Sequence, residues 1–401
     1  MHSIKYSPTA TRSLQQWAPL IVSLVIVTSI VTVNLLAPFF SAPETNMEKA
    51  LRILDQAPII DGQIRFYLNS SINDADLTTL PETFDTDITR LRKGKVGGQF
   101  WSVYMPCTPN VTDYTTTLRD VVEQIDLVKR MVDKYTDVFQ MAYSVADIRQ
   151  AFRHGKIASL VGMEGGHSMD DSLGVLRQLY ALGARYMTLT HTCHTAWADS
   201  AAPPPLHNGL TLFGESVVSE MNRLGMLVDI SHVSPDTMRH VARVSQAPLF
   251  FSHSSAAALC NITRNVPDDV LEMVKEKGGI VMVNFFSIFV SCNTTATLSQ
   301  VADHIVHIKK VAGAQHIGLG ADYDGINSWP EGLRDVSTYP NLIAELLSRG
   351  FTESEVRGIA SDNLIRVLDE TERVSRRLNS MKPVEETLRI NKTCPIRAEE
   401  L

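Results

Sequence analysis

Closely spaced cysteine is what this sequence most lacks. Five cysteines occur in 401 residues, at positions 107, 193, 260, 292 and 394, with no C-x-x-C pair among them. That leaves out the thiolate zinc clusters and dithiol redox motifs that need such spacing. An excess of basic charge is missing too. With 37 basic and 44 acidic residues the formal net charge is -7, which does not suggest a nucleic-acid partner. No internal repeat is evident, and the polar C-terminus carries no lipid-anchor signal.

One absence is local. Between Ala18 and Phe40 there is no charged residue, and Leu20–Val33 is almost wholly aliphatic. That is about the length needed to cross a bilayer as a helix. Lys5 and Arg12 precede it with no acid, and Glu44 and Glu48 follow. The positive-inside rule then places the N-terminus in the cytosol and the body in a lumenal or extracellular space. A cleaved signal peptide is the alternative, but the segment is long for one and lacks a small-residue cleavage site. The expected organisation is a cytosolic tail (1–17), a single-pass transmembrane anchor (18–40), a stalk (41–50), a catalytic body (51–370) and a C-terminal tail or dimer arm (371–401).

Five N-x-S/T sequons, at Asn69, Asn110, Asn261, Asn293 and Asn391, fit a glycosylated secretory chain. Five cysteines in an oxidising compartment suit two disulfides and one spare thiol. Cys394 is the spare, open to bridging a second copy of the chain or to standing free in the tail.

The body alternates apolar runs with helical periodicity. The runs are Ala57–Gly62, Gly98–Met105, Ile157–Met163, Ala184–Thr190, Leu227–Ile230, Pro248–Phe251, Gly279–Phe285 and His316–Gly320. Eight such units predict an α/β fold, a closed (β/α)8 TIM-like barrel, with a doubly wound open sheet as the alternative. Helix signals stand between them. Ser144 with Asp147 and Thr352 with Glu355 read as capping boxes, Ser234-Pro235 as a helix start, and Gly183 and Gly225 as stops.

In such a barrel the active site lies at the C-terminal strand ends. The residues there are Glu164, His191, His232, His253, Asp322 and Asp324. One carboxylate with two imidazoles makes a zinc shell that leaves a position open for water, and a nearby Asp can serve as base or hold an amine. His167 and His194 read as structural or rim residues, and Asp324 as a turn residue or one that supports the ligands from behind. A single strand-end histidine is more often structural than ligating. The coincidence of five residues, each just past a strand, is what points to a metal hydrolase.

The segments GMEGGHSM, TLTHTCHTAWADS, DISHVS, FSHSSA, TRNVPDD, LSQVADHI and HIGLGADYDG resemble the membrane dipeptidase (renal dipeptidase) family of zinc peptidases, in the metal-dependent amidohydrolase superfamily. The likeness spans residues 51–369. It implies a dipeptide substrate and Zn2+. Glu164 matches the carboxylate that bridges two zincs, and His232 and His253 match the histidines of the second. His191 matches a residue touching the oxyanion, and Arg264 one that holds the substrate carboxylate. Asp322 matches the acid that meets the substrate amine or handles protons. Disulfides Cys107–Cys193 and Cys260–Cys292 are implied as well.

The first strand departs from the family. Where His-x-Asp would bind the first zinc, IIDGQIRFYLN places Gln63 and Arg65. An amide is a poor zinc ligand and a guanidinium is none. Arg65 should then pair with Glu164. Three readings follow: a single-zinc dipeptidase, a catalytically inactive binding protein, or a site whose Arg65 charge alters specificity.

Overall fold

The computed structural model describes residues 22–23, 25–28, 43–65, 76–107 and 117–388. The chain divides into Met1–Thr45 and Asn46–Leu401. Of the expected anchor, only residues 22–23 and 25–28 are described, in helix and exposed. Among the described residues no helix is long and apolar enough to cross a membrane. Asn69, Asn110, Asn391 and Cys394 lie outside the described residues.

Among the described residues, the second unit is built on nine parallel strands. They are β1 (Ile59–Arg65), β2 (Val96–Tyr104), β3 (Phe139–Met141), β4 (Ile157–Glu164), β5 (Ala184–Thr188), β6 (Leu227–Asp229), β7 (Phe250–Phe251), β8 (Ile280–Val283) and β9 (Ile317–Leu319). The order runs β2-β1-β9-β8-β7-β6-β5-β4, and β2 also pairs with β4. That pairing closes an eight-stranded parallel barrel, as the eight apolar runs predict. β3 was not expected. It lies along the first half of β4, pairing Phe139 with Ile157 and Met141 with Ser159. Only Phe139 of its three residues is buried, so it offers no apolar run to read.

Interior side chains fill the barrel, and one glycine makes room for the largest of them. A Cβ on Gly162 of β4 would lie 2.1 Å from Cζ of Tyr186 on β5. Tyr186 packs there against Phe100 and Phe250, at ring separations of 5.0 and 5.5 Å.

Helix ends follow the local signals. Ser144 and Ser234 cap their helices through side-chain oxygens, with Pro235 at the first turn of the second. Thr352 and Glu355 form a full capping box. Gly183 and Gly225 end helices with φ of 123° and 83°, a region that costs glycine little. The C-terminal reading needs correction. The stretch from residue 371, expected as a tail or dimer arm, stays helical to Leu378. The apolar face of that helix, including Val367, Leu368, Thr371 and Val374, is buried, which keeps it in register. Beyond it Val384 is tied to the body: its N–H donates to Glu220 Oε2 at 3.2 Å and its carbonyl accepts from Arg177 Nη1 at 3.1 Å.

Disulfides join Cys107 to Cys193 and Cys260 to Cys292. Asn261 and Asn293 each follow one half of the second and are exposed.

Candidate metal centre at the barrel mouth

All strand-end residues singled out in the sequence come to one mouth except Asp324, which turns aside. Glu164 ends β4 and is 1% exposed. Its Oε2 accepts from Arg65 Nη2 at 3.3 Å and from Ser102 Oγ at 3.3 Å. Its Oε1 makes no hydrogen bond among the described residues. Yet Nε2 of His191, His232 and His253 stand 3.5, 3.4 and 3.5 Å from that oxygen. The Nε2 atoms of His232 and His253 are 2.9 Å apart. Asp322 Oδ2 lies 4.0 Å from His253 Nε2, and its Oδ1 is buried without a hydrogen bond among the described residues.

The supporting contacts explain how these groups are held. Ser252 Oγ donates to Asp229 Oδ2 at 2.6 Å. With that proton committed, its lone pair takes the Nδ1–H of His253 at 2.7 Å. Such a partner fixes the ring and leaves Nε2 unprotonated, as a metal ligand requires. His232, Asp322 and Asp324 have φ of 63°, 65° and 58°. Left-handed backbone at non-glycine residues costs about 1–3 kcal/mol each and clusters at functional sites. The glycines after Glu164 are needed. Gly165 has φ of 110°, and a Cβ on Gly166 would lie 2.4 Å from the Leu189 carbonyl oxygen.

Arg264 is 5% exposed. It donates from Nη1 to Ser254 Oγ at 2.6 Å and from Nη2 to the His253 carbonyl at 2.8 Å. Its Nε has no hydrogen bond among the described residues.

Burial and charge set the protonation states. Burial opposes ionisation of Glu164, but Arg65 and then the imidazoles outweigh it and hold the carboxyl well below its usual range. Burial, then the charge of Glu164, pushes Asp322 up to about 8. Burial drives His232 and His253 well down and His191 to about 4, so all three are neutral at pH 7. Burial lowers Arg264 to about 10, where it remains a cation at pH 7.

The first strand carries no ligand set. The Oε1 of Gln63 accepts from the Tyr186 hydroxyl, deep in the barrel. Arg65 spans Glu164 and the Tyr104 ring, whose centroid is 3.9 Å from its Cζ. A guanidinium therefore stands beside Glu164 on the side where His-x-Asp was expected. The donor set fits a metal on the Oε1 side, and on the Oε2 side it does not.

His167 bonds the Met105 carbonyl through Nε2 at 3.0 Å, and His194 accepts from the Ser200 N–H at 3.1 Å. Asp324 exchanges hydrogen bonds with Asp85. His167 and His194 thus make structural contacts, and Asp324 is bound into the loop that carries Asp85. Ser102, Tyr104 and the Ser252–Asp229 relay went unread. The relay had a visible signal, since Asp229 and Ser252 lie within the quoted DISHVS and FSHSSA segments.

A closed parallel barrel with carboxylates and imidazoles gathered at its mouth has the architecture of metal-assisted hydrolases. The chain belongs to the membrane dipeptidase family (peptidase family M19), whose profile matches residues 47–382. It is 43% identical over 387 residues to Dipeptidase aclJ of Aspergillus oryzae, covering 90% of this chain and 92% of that protein. A Rhodobacter sphaeroides metallo peptidase, solved with a phosphinate mimic of the dipeptide L-Ala-D-Ala, is 26% identical with a TM-score of 0.72. That match covers 78% of this chain and 99% of the other. The probable dipeptidase PvdM of Pseudomonas aeruginosa shares the fold at 22% identity, with a TM-score of 0.76 over 83% and 100% of the two chains.

Proposed function

We propose that this chain is a dipeptide hydrolase that works with a single Zn2+. The observation that carries the reading is Glu164 Oε1: a buried, ionised oxygen with no hydrogen bond among the described residues, faced by imidazole nitrogens. Glu164, His232 and His253 would hold the ion. Zn2+ bound there would supply Lewis acidity, polarising the scissile carbonyl and lowering the pKa of water. Arg264 would take the free carboxylate of the dipeptide, its guanidinium already aimed by Ser254 and the His253 carbonyl. Asp322, whose Oδ1 is uncommitted, would meet the free amine or carry the proton to the leaving amine. Arg65 keeps a fixed positive charge beside Glu164.

The test is hydrolysis of a dipeptide panel by the full chain, stripped with chelator and then reloaded with Zn2+. Activity should appear only on reloading and be lost in Arg264→Met through a raised KM. A reloaded chain that cleaves no dipeptide would refute the hydrolase. A second reading, a non-catalytic dipeptidase-like binding protein, is favoured by the Arg65 ion pair, and that inactive outcome would support it.

The chain is further proposed to be a single-pass membrane glycoprotein with its barrel lumenal or extracellular, on the strength of residues 18–40 and the sequons. Peptide mapping of protein made in a secretory host should find glycans on the exposed Asn261 and Asn293. Finding both bare would remove this part of the reading.

A further inference from the structure

Between the segment that follows β8 and the loop that follows β9 lies a groove of about 510 Å3. Ligand sites commonly measure about 300–1,000 Å3. Its walls include Asn293, Thr295, Thr297, Gln300, Trp329 and Glu331. Hydroxyls, an amide and a carboxylate around one indole suit a pyranose. The aromatic ring takes the apolar C–H face of the sugar, and the polar groups take its hydroxyls. The two walls are pinned together. The Glu331 N–H donates to the Ala296 carbonyl at 2.8 Å, and the Leu298 N–H donates to the Glu331 carbonyl at 2.8 Å. Trp329 is fixed from the body of the protein. Its Nε1–H donates to Asp85 Oδ2 at 2.8 Å, and Arg334 Cζ lies 3.8 Å from its ring centroid. With its polar end satisfied, what the indole offers the groove is apolar ring surface.

One wall residue brings its own ligand. Asn293 begins the sequon Asn293-Thr294-Thr295 and is exposed. Its N–H donates to Ser291 Oγ at 3.1 Å, and the disulfide from Cys292 to Cys260 anchors the residue before it. Its Oδ1 accepts from the Thr294 N–H at 2.7 Å. The oxygen end of the amide is thereby committed, and Nδ2, the atom to which an N-linked glycan is joined, is left at the groove. Asn261 is also exposed but is not part of this wall.

We propose that the first N-acetylglucosamine on Asn293 packs in this groove against Trp329 and ties the two walls together. The proposal rests on the secretory glycoprotein reading above. It gives the Asn293 glycan a structural role that a glycan on Asn261 does not have. The loop after β9 also carries Asp324, which exchanges hydrogen bonds with the same Asp85 that holds Trp329. The sugar therefore braces the loops on that side of the barrel mouth.

The experiment uses the full chain made in a secretory host. Amide hydrogen exchange is compared before and after a peptide N-glycanase removes the glycans from the folded protein. Removal should speed exchange in residues 291–297 and 325–334 roughly two- to ten-fold, the worth of one aromatic stacking contact. Trimming to a single N-acetylglucosamine with an endoglycosidase should leave exchange slow. Asn293→Gln should match the stripped chain, and Asn261→Gln should change neither segment. In Trp329→Ala, glycan removal should no longer alter exchange, and if that variant does not fold, the enzymatic comparison on the native chain decides. A glycan on Asn293 whose removal leaves both segments unchanged would overturn the proposal and leave the glycoprotein reading standing. A bare Asn293 beside a glycosylated Asn261 would do the same. Both asparagines bare would overturn both.

Discussion

Arg65 is the residue on which the site turns. Its side chain is 13% exposed and its ion-pair partner Glu164 is 1% exposed. Removing one member of a buried pair leaves the other charged and uncompensated, at a cost of about 3–5 kcal/mol. Arg65→Met should therefore destabilise the chelator-stripped protein by about that much at pH 7, measured by denaturant unfolding, and a bound divalent ion should offset most of the loss. The pH dependence has a definite sign. The carboxyl of Glu164 is depressed in the folded state, so its ionisation stabilises above its ordinary value of 4.5 and that stability is lost as pH falls toward the depressed value. Without Arg65 the depression shrinks, and the stripped variant should keep less of this acid-side dependence. A change below about 0.5 kcal/mol, the range of ordinary surface substitutions, would mean that the pair does not hold the site.

The strands decide what the residues can reach. Register between β2 and β4 sets Ser102 opposite Gly162 and Tyr104 opposite Glu164. That is why Ser102 and Tyr104 serve the site, and why the sequence did not reveal them: register across non-consecutive strands leaves no local trace. Strand-end histidines are different. His191 follows an apolar run directly, His232 and His253 follow theirs after a single serine, and that juxtaposition is visible in one dimension. The barrel was legible for the same reason, since its strands are buried apolar runs, whereas the half-exposed β3 was not. The chemical departure at Gln63 and Arg65 showed only against the resemblance, because neither residue is unusual in a strand by itself. Gly162 tests the element scale. A Cβ there meets Tyr186 at 2.1 Å, and overpacking typically costs about 1–3 kcal/mol. Gly162→Ala should lower unfolding stability by at least that amount, and a neutral effect would show that Tyr186 does not fill the barrel at that level.

At the scale of the whole molecule, the fold brings Arg65, Glu164, Arg264 and Asp322 to one end of the barrel. The two carboxylate oxygens of Glu164 have unlike surroundings there. The Oε1 side of Glu164 retains its imidazoles, and the Oε2 side holds a guanidinium. Under the proposed function, Arg65 and Gln63 leave room for one ion beside Glu164. Metal content per chain after zinc saturation and desalting measures it directly, compared with the double variant Gln63→His with Arg65→Asp. The account predicts one zinc in the native chain and two in the double variant. Two zincs in the native chain, or none, would contradict it.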